Sequence, residues 1–169
     1  MLSMDGNQMT RKDDVRRPDQ YNGLRMDGKF ELRARFPDGR IETRSGKNLV
    51  VTSGEHLAAQ LFDINGSETA PNYIAFGSGN ATVLKADTQL QTEVASTREE
   101  VDDTDTPLPG VIQMSWDLTT GSSYTLREMG IFNAVSAGTM VSRFLTQPLD
   151  IVSGVVFAIV WTLTFSGVD

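Results

Sequence analysis

The chain has 169 residues, 39% of them hydrophobic, with 15 Lys plus Arg, 22 Asp plus Glu, one His and no Cys, which suits one domain of ordinary size. Without Cys there is no disulfide, no thiolate metal site and no cysteine nucleophile, and a net charge of −7 opposes binding to a phosphate backbone. The longest apolar run, 155–161, is far short of the roughly 20 residues of a membrane helix, and Asp5, Gln8 and Asp13 stand where a secretion signal is apolar, so a soluble, unexported chain is expected.

Charge is uneven along the sequence. Residues 1–48 hold 11 basic and 8 acidic side chains, a net of +3, and the remainder carries −10. Segment 1–26 has few large apolar residues, no alternation and Pro18, too little to offset the entropy of ordering by itself. Its Arg11, Lys12, Arg16 and Arg17 are interleaved with acids, and Tyr21 is its one stacking group, a poor arm for nucleic acid. Two readings stay open: a solvated tail, or an extended arm that orders on the acidic body of a neighbouring subunit, with those four cations as interface residues.

From Lys29 the pattern becomes regular. Phe30, Leu32, Ala34 and Phe36 alternate with Glu31, Arg33 and Arg35, which predicts a strand with one wet face. Pro37-Asp38-Gly39 is a turn, and 41–44 returns as the second strand of a hairpin. Thr52 with Glu55 predicts a capping box that opens a short helix, with Leu57, Ala58, Leu61 and Phe62 on one stripe and a stop before 63–66. Strands follow at 73–76, 112–118, 124–132 and 139–145, the last ending at Gln147-Pro148; Leu90 and Val94 fit either a helical turn or an irregular strand, and the acidic run 99–105 reads as a loop. The closing strand, 155–165, puts Phe157, Ile159, Trp161 and Leu163 on one face and Val156, Ala158 and Val160 on the other. With both faces apolar or small, it is central or covered by a neighbour, and Val156 and Val160 become interface candidates. The expected fold is mainly β: an antiparallel β-sandwich over 27–169 with one short helix and an extended polar arm over 1–26.

Catalytic constellations are thin. His56 falls in the first helical turn, where a solvated role is commonest. Gly77-Ser78-Gly79 and Gly46-Lys47 are fragments of phosphate loops without the residues that complete one. The acidic run lacks the glycine and closing glutamate of a calcium loop. Trp116, Trp161 and Tyr124 would be the stacking platforms of a carbohydrate- or receptor-binding module, although the alternation favours core packing for both Trp.

Five stretches carry a resemblance: 48–54 running into 57–59, Tyr73-Ile74-Ala75-Phe76-Gly77-Ser78-Gly79, the segment 87–94, Arg127-Glu128-Met129-Gly130-Ile131-Phe132-Asn133, and 138–144. In this order, over most of 27–168, they resemble small structural proteins of tailed bacteriophages, the tail-fibre, tail-collar and virion-associated proteins. The resemblance implies a non-enzymatic virion subunit, made in the host cytoplasm, without cofactor or metal. Its partners would be copies of itself and other virion proteins, with no nucleic acid, membrane or small-molecule substrate. Tail, fibre attachment, baseplate and neck all suit it, with decoration of the head exterior as the alternative position.

Overall fold

Alternation decides the first element. Phe30, Leu32 and Ala34 are buried and Glu31, Arg33 and Arg35 exposed on strand β1 (Leu24–Arg35). The computed structural model describes residues 24–95 and 97–167, so Arg11, Lys12, Arg16 and Arg17 lie outside the described residues. Strand β1 starts inside the stretch assigned to the arm, because Met26 packs against the core. The hairpin turn forms as read: Gly39 takes φ +88°, and the Arg40 N–H donates to Asp38 Oδ1 at 2.9 Å.

Strand β2 (Ile41–Val50) leads into α1 (Thr52–Gln60). The capping box does not form. Val51 is the N-cap, its carbonyl accepts from the Gly54 and Glu55 N–H groups, and Glu55 pairs with Lys85 instead. The end of β2 sets the helix start one residue early, and the ammonium at Lys85 outcompetes a backbone donor for the carboxylate. No helix among the described residues is long and apolar enough to cross a membrane.

The remaining elements are β3 (Tyr73–Gly77), β4 (Glu99–Glu100), β5 (Asp103–Leu108), β6 (Val111–Thr119), β7 (Tyr124–Phe132), β8 (Met140–Ile151) and β9 (Val156–Gly167). They make one antiparallel sheet in the order β4-β3-β7-β8-β2-β1-β9-β6-β5, the mainly-β fold with a single helix that the sequence predicts. Strand β2 joins the halves: Ile41 to Asn48 pair with β1, while Leu49 and Val50 pair with β8. The sheet curls around its core, bringing Phe30 against Phe144 at 4.1 Å and Phe76 onto Phe157 at 5.4 Å between ring centroids.

Three readings change. The acidic run is not a loop but the edge strands β4 and β5, where exposed carboxylates suit a solvated edge. Strand β8 continues through Gln147-Pro148, because the ladder with β7 shifts register between Leu126/Leu149 and Glu128/Leu145 and asks no N–H of Pro148. Leu90 and Val94 belong to irregular chain with a single bridge, Gly77 to Glu93, and Leu90 is buried.

Candidate functional site

Strand β9 lies between β1 and β6 and divides the side chains as expected. Phe157, Ile159, Trp161 and Leu163 fill the core, and Val156 and Val160 stand half-buried on the outer face. Trp116 and Trp161 are 1% and 0% exposed, so neither is a stacking platform. Tyr124 is half-buried, and burial pushes its hydroxyl up to about 12 against a hydrogen bond with Thr120 that lowers it. His56 is exposed on α1. Among the described residues no three His, Asp or Glu are placed to hold a metal ion.

The most elaborate polar cluster is one the sequence reading missed. Glu128 on β7 is 0% exposed and Arg143 on β8 is 2%; they pair at 2.7 Å. Glu128 Oε1 accepts the Gly79 and Thr92 N–H groups at 3.0 and 2.8 Å, and Oε2 accepts that of Gln91 at 3.1 Å. Arg143 reaches on to Asp87 at 2.7 Å and to the Ala81 carbonyl at 3.2 Å. Burial works to raise Asp87, but the Leu84 N–H and the Arg143 guanidinium outweigh it and hold the carboxyl below its ordinary value. The glycine-rich loop does cradle an anion, and that anion is internal: a Cβ at Gly77 or Gly79 would come within 2.6 or 2.4 Å of Glu128 Oε1. Beside it Arg98 lies over the Phe132 ring at 3.8 Å and donates to both oxygens of Glu93.

Through these contacts segment 78–95 folds over the outer face of β3, β7 and β8, covering Ala75, Phe132 and Met140 with Leu90. All five stretches that carry the resemblance meet here, the first through Val51 in the same apolar cluster. With both Glu128 oxygens filled, the cluster holds segment 78–95 to the sheet as a clamp. The signal in the sequence was a charge flanked by apolar residues in each of two strands, Glu128 between Leu126 and Met129 and Arg143 between Val141 and Phe144, since a buried carboxylate requires donors.

Two surfaces remain open. An apolar recess of about 230 Å3 sits between α1 and the ends of β1, β6 and β9, lined by Met26, Leu57, Ile112 and Phe165. It widens into a groove rimmed by Leu61, Phe62 and Leu108, where Phe62 is 86% exposed.

The other surface is the outer face of β2, β1, β9, β6 and β5. Residues opposite one another share a face, so Arg33, Ala158 and Asp117 form one row, and Lys47, Lys29, Thr162, Gln113 and Asp105 another. On β1 the outward Asp27 and Glu31 are neutralised by Arg25 and Lys29 at 2.8 and 3.1 Å. Arg33, Arg35 and Lys47 on one side of β9, and Asp103, Asp105 and Asp117 on the other, form no ion pair among the described residues.

No known family model, curated protein or solved structure matches this chain.

Proposed function

We propose that the chain is a structural subunit of a tailed-phage virion that works by protein–protein assembly, in the tail, fibre-attachment, baseplate or neck region. The observation that carries this reading is the convergence of the five phage-like stretches on the Glu128–Arg143 clamp. These stretches are far apart in sequence and lie together in one packed unit, which supports taking them as one likeness and not as separate short motifs. The surface supports assembly as the mode of action. The groove with Phe62, Leu61 and Leu108 exposes large apolar side chains side by side, as interaction surfaces do, while the buried charges are spent on structure.

Mass spectrometry of purified particles of the encoding phage, with immunogold labelling to locate the chain, tests the proposal. Stoichiometric recovery with labels on the tail or neck supports it. Recovery only from the host lysate overturns the virion assignment, and labels spread over the head replace the tail position with decoration of the capsid.

A further inference from the structure

The two outer faces of the curled sheet differ. That of β3, β7 and β8 is closed by the chain's own segment 78–95, whereas that of β2, β1, β9, β6 and β5 is covered by no described part of the chain. Down the middle of the open face run Val156, Ala158, Val160 and Thr162, flanked by three unpaired cations and three unpaired carboxylates.

We propose that this face receives a second copy of the chain, related by a two-fold axis parallel to β9. A rotation about an axis lying between the two faces, along the strands, exchanges left and right but keeps each cross-strand row at its own level. The row of Arg33, Ala158 and Asp117 therefore sets Arg33 over the partner's Asp117, and the two-fold repeats the contact in reverse. Two rows away Lys47 falls over the partner's Asp105. The other face-to-face two-fold, across the strands, lays cations on cations and carboxylates on carboxylates, so charge selects the first arrangement. Ala158, Val160 and Thr162 meet at the axis, where small side chains let sheets approach to about 10 Å at little entropic cost. Five strands at about 4.8 Å and about 35 Å of strand length give at most on the order of 800 Å2 per copy, the half-area of a standard specific interface.

The inference rests on the assembly reading and names its partner, and the tests are separable: particle composition decides the virion role, and solution behaviour of the full chain decides the dimer. Sedimentation equilibrium from about 1 to 100 μM is expected to show a dimer. Arg33→Asp and Asp117→Arg should each weaken it about tenfold or more, and the double reversal should recover the wild-type constant to within about threefold. Both sites are exposed, and circular dichroism should be the same for all four proteins. The chain has no Cys, so a short bis-maleimide should join Ala158→Cys into a covalent dimer and leave Val135→Cys, in the exposed turn before β8, as monomer. A chain monomeric at about 100 μM, reversals that leave the constant unchanged, or cross-linking at Val135→Cys in preference to Ala158→Cys would each overturn the proposal.

Discussion

Glu128 satisfies five donors with two oxygens, and that saturation sets what its loss does. Glu128→Ala leaves the buried Arg143 guanidinium with only Asp87 and the Ala81 carbonyl as partners and frees three backbone N–H groups, so urea unfolding should show a loss of about 3–5 kcal/mol. Arg143→Met should lose a similar amount. Replacing both by apolar residues should cost clearly less than the sum of the two, since neither charge is then left alone. Asp87 adds a pH dependence with a definite sign. Its folded pKa lies below the unfolded value of about 3.9, so its contribution is complete above that value and is lost as pH falls through the folded pKa. Urea midpoints of wild type and Asp87→Asn, compared between pH 5 and pH 2.5, should converge toward the acid end. Glu128 and Arg143 were visible in the sequence as charges among Leu126, Met129, Val141 and Phe144. Their partners were not, because four of the groups that satisfy them are backbone atoms of the 79–92 stretch, placed by tertiary folding.

Helix α1 is tied to β8 at Gly54, where a Cβ would meet the Val141 carbonyl oxygen at 2.2 Å. Gly54→Ala gains about 1 kcal/mol of helix propensity, but the obstacle is backbone in a central strand, and overpacking of this kind costs about 1–3 kcal/mol. The variant should therefore be less stable than wild type in thermal melts, against the direction propensity alone gives. Strand β9 offers a two-sided test. Ile159→Asp puts an unpaired charge into a site 1% exposed and should abolish soluble expression, because its cost of several kcal/mol rivals a total of roughly 5–15. Val160→Asp, one residue on and facing outward, should fold normally by circular dichroism yet sediment as a monomer, because the two new carboxylates would meet at the axis. Elements with alternation or turn chemistry, the β1–β2 hairpin and β9 among them, were readable from sequence. Strand β5 was not, since an exposed edge needs only a ladder partner, and β8 beyond Pro148 was not, since the register shift that tolerates the proline is a property of the pair.

Across the whole molecule the charge asymmetry has a sharper address than the sequence halves suggest. Residues 1–23 hold four basic and four acidic side chains, so the +3 of the first 48 residues belongs to the stretch 24–48 and much of it faces out from β1 and β2. Net attraction to an acidic body is thus a property of the hairpin, not of the arm. Raising ionic strength from about 0.05 to about 0.5 M should accordingly weaken the dimer severalfold in sedimentation, because exposed charges are screened beyond a few ångströms at high salt. Strand order was beyond sequence reasoning: β1 is zipped along its length to β9, from Leu24 with Gly167 to Arg35 with Val156, and no local pattern encodes a pairing across more than a hundred residues. That pairing also fixes a timetable. A ribosome adding about 5–20 residues per second exposes β1 for roughly 6–25 s before β9 exists. During that interval the nascent hairpin shows Phe30, Leu32 and Ala34 to solvent with its second neighbour missing. Slower growth temperatures or chaperone supply should therefore govern the yield of soluble chain more than any change at its finished surface.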